Sequence, residues 1–339
     1  MVKTADRPDV AAPAVERPAP DVRTIALRRF AISITVFNVV GHLFLGFEQS
    51  WAQPVVALIV AYTLEVGFEA LNSMCTSRTP RFVGGSGDFV NFLLPAHITG
   101  LAIAMLIYPN SELGVIAFAV SVAIGSKWVF RIRINGAPRH FLNPSNFGIV
   151  VTLLLWPWVS IAPPYHFTEN LAGPLDWILP LAILISGLML NVKLTRRGPL
   201  IAGWIGGFAG QAVARAAIFG TPVVAGLTPM TGVAFVLFSN YMVTDPSTTP
   251  TRARPQFVFG IATAATYGAL VALHIVFGLF FSLVIVCVTR GALIEVANLR
   301  VALARSRSGH MRSRSGALAP EPAIPAPVAA GAGIPSASP

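Results

Sequence analysis

The chain has few charged residues and very little cysteine for its length. Only 11% of its 339 residues are Asp, Glu, Lys or Arg, less than half of the roughly 25% found in soluble domains. Because so few charges could not cover the surface of a soluble protein, the composition excludes an ordinary water-soluble enzyme. Its two cysteines, Cys75 and Cys287, are far apart, which excludes a disulfide framework and a cysteine-based metal cage.

Apolar residues are abundant instead, at 54% of the chain. They recur in stretches of about 20 residues, the length that an α-helix needs to cross a bilayer. Ten such stretches predict an all-α, polytopic membrane protein with about ten transmembrane helices and the lipid bilayer as its main partner. The stretches lie near residues 29–48, 52–71, 88–108, 111–130, 144–161, 174–192, 199–219, 229–244, 256–273 and 275–295.

The positions of Lys and Arg agree with this count. If the N-terminus is cytoplasmic, all 24 of these residues except Arg215 fall on the cytoplasmic side, as the positive-inside rule requires. A missed or extra helix would place half of the connections on the wrong side. The pattern therefore predicts a multi-pass plasma-membrane protein with both termini in the cytoplasm. It also explains the net charge of +10 without a nucleic acid partner.

Composition divides the chain into three parts. Residues 1–26 are rich in Pro, Ala and charge and lack the apolar stretch of a signal peptide, which predicts a disordered cytoplasmic tail. Residues 27–300 form the predicted transmembrane domain. Residues 301–339 are basic and then rich in Pro and Ala, and they predict a second disordered cytoplasmic tail.

Short similarities between the two halves of the chain suggest an internal repeat. Ile-Thr-Gly at 98–100 matches Met-Thr-Gly at 230–232, and Phe-Gly at 147–148 matches Phe-Gly at 277–278. Since five helices per half is an odd number, the halves would be inverted relative to each other, a 5+5 inverted repeat. Such repeats place functional sites near the bilayer midplane. Chance similarity between apolar segments is the alternative.

A first polar cluster stands where the fifth helix begins, in the sequence Asn143-Pro144-Ser145-Asn146. Asn-Pro favours a turn, Ser145 is suited to cap the helix, and Asn146 carries an amide into the membrane. Since the start of a helix presents free N–H groups, the cluster suits an anion. An ordinary capped helix start is the alternative.

A second polar cluster ends the eighth helix on the same side of the membrane. It runs from Ser239-Asn240-Tyr241 through Thr244-Asp245, followed by Pro246, and continues through a run of hydroxyls that includes Thr248 to Arg252 and Arg254. Asp-Pro favours a turn. Hydroxyls with nearby arginines suit a phosphate or the pyrimidine edge of a flavin. A polar loop with two positive-inside arginines is the alternative.

Five ionisable residues lie within predicted helices, where exposure to lipid would be costly. They predict a path for ions or protons, with hydrogen bonding between helices as the alternative interpretation. No pair of histidines is expected at a matching depth, so neither haem nor a metal ion is predicted. The five residues are Glu65, Glu69, His42, His97 and Arg215.

The motifs FLNPSNFG and NYMVTDPSTTP resemble those of the RnfD/NqrB family, membrane subunits of the Rnf and sodium-pumping NADH:quinone oxidoreductase complexes. LLPAHITGLAIAMLIYP and KLTRRGPLIAGWIGGF extend the resemblance over residues 85–295. It implies ten helices, a bound flavin and electron transfer coupled to cation movement. The flavin would lie near the residues of the two clusters, Asn143, Ser145, Asn146, Thr244, Asp245 and Thr248.

The chain departs from this family in one loop. Respiratory members carry a Ser-Gly-Ala-Thr-like motif between helices 5 and 6, whose Thr holds FMN covalently. Here Thr168 is the only Ser or Thr between residues 162 and 174, and its neighbours do not match. The cofactor expected is therefore FMN or riboflavin bound non-covalently. The N-terminal sequence FNVVGHLFLGFEQSWAQP is similar to UnbU-type membrane proteins encoded with enediyne biosynthesis clusters.

Three functions stay open at this point, and the sequence does not decide whether the protein is an enzyme. The first is a flavin-binding electron-transfer subunit, coupled to ion movement, that serves enediyne-type biosynthesis together with other membrane redox or biosynthetic proteins. The second is a transporter or channel on the same scaffold without redox chemistry. The third is a membrane anchor for biosynthetic enzymes. The Asn-Pro and Thr-Asp-Pro motifs favour the first.

Overall fold

Helices form almost all of the regular structure in the computed structural model, which describes residues 21–134, 136–163, 168 and 170–316. The α-helices are α1 Val22–Val40, α2 Ala52–Cys75, α3 Ser86–Leu106, α4 Leu113–Val129, α5 Pro144–Leu155, α6 Leu175–Leu190, α7 Gly198–Phe219, α8 Val223–Leu227, α9 Val233–Leu237, α10 Ala253–Ala272 and α11 Gly278–Gly316. Wider π turns extend α1, α6 and α9 over Gly41–Leu45, Asn191–Thr195 and Phe238–Met242.

Four short strands form two antiparallel pairs within the described residues. Strand β1, Ile107–Tyr108, pairs with β4, Ser160–Ile161, where α3 and α5 end. Strands β2, Arg131–Ile134, and β3, Ala137–His140, form a hairpin between α4 and α5. The expectation of an all-α architecture is therefore confirmed in its general form.

Several helices are long and apolar enough to span a membrane. By length and composition the described residues contain five such helices, or six if the bent pair formed by Val223–Thr231 and Val233–Met242 counts as one span. Shorter apolar helices lie between them, at Leu113–Val129, Pro144–Leu155 and Pro180–Thr195. The protein is thus suited to a lipid bilayer, while the count of ten crossings and the inverted repeat remain predictions.

The predicted segment boundaries need correction at three places. Helix α1 begins at Val22 and α11 continues to Gly316, so helix extends into both segments predicted to be disordered. Arg, which favours helix, accounts for four of residues 301–316. The eighth predicted helix is broken, with its two parts bent by 68°, because Pro229 and Gly232 interrupt the helical hydrogen bonding. Within α11, a second compact unit begins at Leu293.

Several of the connections between helices meet in one region of the described structure. Arg197 donates hydrogen bonds to the carbonyl oxygens of Pro246 and Pro250, and Arg290 donates to that of Thr248 at 2.8 Å. Arg81, Arg131 and Arg139 line one cavity with Pro246. We call this end, which carries Arg78, Arg81, Arg131, Arg139 and Arg197, the basic end.

The connections that follow α3 and α5 meet elsewhere, because β1 pairs there with β4. Gln53, at the start of α2, donates to the carbonyl oxygen of Asn110 in the first of these connections at 2.7 Å. This separation matches the sorting of Lys and Arg along the sequence. Which end faces the cytoplasm remains a prediction.

Glycines allow α7 and α10 to approach closely. A Cβ atom at Gly203 would collide with the carbonyl oxygen of Phe257, and one at Gly260 would collide with that of Leu200. Gly206, one turn along α7 from Gly203, would meet nothing within 4 Å. Small residues at such crossings let helix backbones come into contact in a membrane, and here they hold α10 beside the aromatic core around Trp204.

We expect Gly203→Ala to destabilise the protein, because the added methyl group must push α7 away from the backbone of α10. Overpacking of this kind costs about 1–3 kcal/mol, which should lower the unfolding temperature measured in detergent. Gly206→Ala is the matched control and should leave that temperature unchanged or slightly raised. Equal effects of the two variants would contradict the close packing of α7 and α10.

Candidate functional site

A cavity of about 230 Å³ opens at the basic end, between α1–α4, the start of α5 and the π turn Phe238–Met242. Apolar and aromatic groups, including Phe30 and Tyr241, form part of its wall, with their ring centroids 5.3 Å apart. We call it the inner cavity. Its polar lining residues include Glu65, Lys127, His140, Asn143, Ser145, Asn191, Asn240, Thr244 and Asp245.

Asn143 joins the two polar clusters that the sequence singled out. Its side-chain oxygen accepts from the backbone N–H of Asn146 and from the hydroxyl of Ser145, both at 3.0 Å. Its amide nitrogen donates to the Asp245 carboxylate at 3.3 Å and to the Met242 carbonyl oxygen at 3.4 Å. The N-cap of α5 is therefore Asn143. The expectation that Ser145 is the cap is wrong, since Pro144 occupies the first helical position and Ser145 follows it.

Asp245 holds the second cluster in a tight turn, as Asp-Pro predicts. Its carboxylate accepts from the backbone N–H of Ser247 at 2.9 Å and from the hydroxyl of Thr248 at 3.2 Å. The hydroxyl of Thr244 donates to the Asn240 carbonyl oxygen at 2.7 Å. With these bonds and the one from Asn143, the carboxylate stabilises the wall of the cavity.

Four of the six predicted cofactor residues line the inner cavity: Asn143, Ser145, Thr244 and Asp245. The other two lie outside its lining. The amide nitrogen of Asn146 donates to the Phe280 carbonyl oxygen of α11 at 2.9 Å. Thr248 binds Asp245 through its hydroxyl and Arg290 through its carbonyl oxygen. Both residues hold the walls of the site in place.

Asn240 belongs to the second polar cluster, but the sequence analysis missed its role in the site. Its side chain is 1% exposed and lines the inner cavity, yet neither amide atom has a hydrogen-bond partner among the described residues. Gly187 lies against this amide, and a Cβ atom there would collide with it. A buried unpaired amide is costly. The π turn that carries Asn240 is a feature often found at functional sites.

Lys127 is a second residue of the site that the sequence analysis missed. Its ammonium binds the Glu65 carboxylate at 2.5 Å, with the two residues 8% and 6% exposed. An ammonium has three N–H donors, so Lys127 keeps donors for a ligand in the cavity. The partners are 62 residues apart, and only the packing of α2 against α4 brings them together.

The predicted path residues do not form a chain. No hydrogen bond or ion pair joins any two of the five, all of which the structure describes. Glu69 binds Arg78 at 2.7 Å and Arg81 at 2.8 Å, whereas only Glu65 lines the inner cavity. His97 forms hydrogen bonds with the hydroxyls of Tyr62 and Thr35. His42 forms one with the carbonyl oxygen of Asn38. Arg215 donates one to the side-chain oxygen of Gln211.

A wider space of about 620 Å³ adjoins the inner cavity at the basic end. Both spaces are lined by Arg23, Arg81, Trp128, Arg131 and His140. We call the wider space the vestibule. The guanidinium carbon of Arg131 lies 4.4 Å from the centroid of the Trp128 ring, a cation–π contact that holds it in place. The pKa of Arg131 is lowered mainly by burial and, to a smaller extent, by the positive charge of Arg81.

No grouping of three or more His, Cys, Asp or Glu residues that would suit a metal ion occurs in the described part of the chain. The loop that lacks the motif for covalent FMN attachment lies partly outside the described residues, which omit 164–167 and 169. The polar lining of the inner cavity holds amides, hydroxyls and four cations against two carboxylates, which suits an organic anion.

Removing the carboxylate of Glu65 should destabilise the protein, because Lys127 would remain buried without its counter-ion. Breaking such a pair costs about 3–5 kcal/mol, so Glu65→Gln should unfold at a lower temperature in detergent. Adding Lys127→Met removes the stranded charge and should recover most of the loss. The exposed Glu48→Gln is the control. Full stability of Glu65→Gln alone would contradict a buried ion pair.

His140 should make stability depend on pH. Burial lowers its pKa below the ordinary 6.5, and the positive charges of Lys127, Arg131 and Arg23 act in the same direction while Asp245 opposes them. As the pH falls through 6.5, the unfolded chain binds the proton before the folded protein does, and stability is lost.

We therefore expect the unfolding temperature to fall between about pH 7 and about pH 5, and to fall less in His140→Gln. His274→Asn is the control, since His274 is exposed in a loop with positive φ that Asn tolerates. If the wild type and His140→Gln had the same pH slope, the imidazole would not be buried in its neutral form.

Comparison with known proteins adds no relative to this description. No protein-family model matches the chain, and a search of curated proteins finds no match. The resemblance to the RnfD/NqrB family therefore stays a prediction that rests on the quoted motifs, and the chemistry of the inner cavity and the vestibule carries the functional conclusion.

Proposed function

We propose that this protein binds a flavin non-covalently in the inner cavity and passes electrons to or from a partner protein. The observation that carries the proposal is the unpaired amide of Asn240, buried in the wall of a cavity at which both family-like motifs meet. The side-chain nitrogen of Asn240 can donate a hydrogen bond and the adjacent oxygen can accept one. Together they complement the edge of a ligand on which an acceptor stands next to a donor.

The isoalloxazine ring of a flavin has such an edge, where an N–H group lies between two carbonyl groups. The aromatic wall formed by Phe30 and Tyr241 suits the apolar face of the ring. At about 230 Å³ the cavity is smaller than the pockets of about 300–1,000 Å³ that hold whole drug-sized ligands. The ring would therefore occupy the inner cavity while the rest of the flavin extends into the vestibule.

The finer architecture belongs to the same proposal. It comprises ten helices in a 5+5 inverted repeat, with both termini in the cytoplasm and the basic end facing the cytoplasm. The bend between α8 and α9 supports it, because broken helices border the binding sites of inverted-repeat membrane proteins. Electron transfer coupled to ion movement and a role in enediyne-type biosynthesis follow from the family resemblance.

The absorbance spectrum of protein purified from flavin-replete cells tests this proposal. We expect a yellow protein with flavin bands, and FMN or riboflavin released on denaturation. A colourless preparation that also fails to bind added FMN and riboflavin would exclude a flavin site.

The variant Asn240→Leu separates binding from folding. Leu has the same branched side-chain skeleton as Asn, and the exchange removes no hydrogen bond of that side chain within the described structure, so any change in stability should come only from packing the larger methyl groups against Gly187. Flavin affinity should fall about tenfold or more, corresponding to about 1.4 kcal/mol or more. Asn298→Leu, at a half-buried position of α11 outside the lining of the inner cavity, is the control and should keep wild-type affinity.

Transport of an anionic solute is the second candidate function. The observation that favours it is the Glu65–Lys127 pair in the wall of a cavity beside the bent α8–α9 segment. Flux of a solute into vesicles that contain the protein, lost in Glu65→Gln, would support it. The third function, anchoring of enzymes through the basic C-terminal segment, depends on side chains from residue 305 onward that lie outside the described ones.

A further inference from the structure

The vestibule brings five arginines together from separate parts of the chain. Arg23 lies at the start of α1, Arg78 and Arg81 follow α2, and Arg131 and Arg139 lie on the β2–β3 hairpin. Arginines that merely mark the cytoplasmic side of a membrane protein have no reason to converge, because like charges repel each other. Here they line one space of about 620 Å³.

One carboxylate contacts these arginines within the described structure. Glu69 is fully buried and binds both Arg78 and Arg81, with Arg81 donating through Nε at 3.1 Å and Nη2 at 2.8 Å. The other three arginines form no ion pair among the described residues. The vestibule therefore keeps an excess of positive charge, five guanidinium groups against one carboxylate.

Two of these guanidinium groups are held in place with donors to spare. Arg131 is stacked on Trp128, and its Nε donates to the Lys127 carbonyl oxygen at 2.7 Å, so its two terminal amino groups remain for a ligand. Arg81 is fixed by Glu69 and keeps Nη1 free of any hydrogen bond to the described residues. A pre-organised guanidinium group is the protein group best matched to the oxygens of a phosphate.

We propose that the vestibule binds a phosphate monoester through Arg131, Arg139 and the other vestibule arginines. A phosphate monoester brings close to two negative charges and several acceptor oxygens to one position, which is what crowded guanidinium groups require. The phosphate group would come either from a soluble ester or from the headgroup of a lipid. This inference does not depend on the flavin proposal, since inorganic phosphate should occupy the same position.

Thermal unfolding of the full chain in detergent, with inorganic phosphate as the probe, tests the proposal. Phosphate should raise the unfolding temperature in a saturable manner, more than sodium chloride at the same ionic strength. Arg131→Gln should weaken phosphate binding at least tenfold. Arg252→Gln removes one positive charge from an exposed arginine outside the vestibule and should change it less than twofold.

Two further experiments distinguish a soluble phosphate ester from a lipid headgroup as the source of the phosphate group. Tighter binding of FMN than of riboflavin, with the difference lost in Arg131→Gln, would indicate a soluble ester. The second experiment compares nanodiscs that contain phosphatidic acid with nanodiscs of neutral lipid. If only the phosphatidic acid abolishes the rise in unfolding temperature caused by phosphate, the group is a lipid headgroup. If Arg131→Gln does not fold, Arg139→Gln replaces it, because Arg139 is exposed on the hairpin.

The outcomes separate this inference from the flavin proposal. Phosphate binding that requires Arg131 supports the vestibule site even if no flavin binds. Riboflavin binding as tight as that of FMN, without a phosphate response, supports the flavin site and overturns the vestibule site. Equal effects of phosphate and chloride, or of Arg131→Gln and Arg252→Gln, would show that the arginines are merely solvated charges and would also overturn it.

Discussion

A polar group within a membrane needs a partner inside the protein, because the lipid chains offer none. This constraint explains most of the contacts at the basic end. Lys127 binds Glu65, Arg78 and Arg81 bind Glu69, and the amide of Asn143 binds Asp245. The first and last of these bonds join residues 62 and 102 positions apart in the sequence, so satisfying the polar groups also fixes how the helices and loops meet. The inner cavity is formed by the same contacts.

Sequence chemistry predicted the local parts of the site and missed those that depend on tertiary packing. Asn-Pro and Asp-Pro fix turns through their own side chains and rings, so the two clusters were recognisable within a single stretch of residues. Ser145 was mistaken for the cap because Ser and Asn are both good caps, and only the backbone decides between them. Asn240 stands in the second cluster, but no local signal marks its role or that of Lys127, since the packing of Gly187 and the position of Glu65 define these roles.

The distribution of Lys and Arg along the chain predicted which connections lie together, but it did not predict that their arginines line one cavity. The positive-inside rule concerns the side of a membrane on which a residue lies, and it says nothing about the distance between two arginines on that side. Convergence requires the β2–β3 hairpin, the Trp128 ring beneath Arg131 and the buried Glu69 carboxylate between Arg78 and Arg81. These are tertiary features, so the vestibule was not predictable from composition or spacing.

The arrangement of polar, aromatic and charged groups along the site favours ligand binding over a purely structural role. An unpaired amide and aromatic rings line the inner cavity, and excess positive charge lines the vestibule outside it. A fold selected only for stability would replace Asn240 with an apolar residue and would separate the arginines to relieve their repulsion. Under the two proposals, one molecule that has a polar aromatic part at one end and an anionic group at the other would offset both costs together.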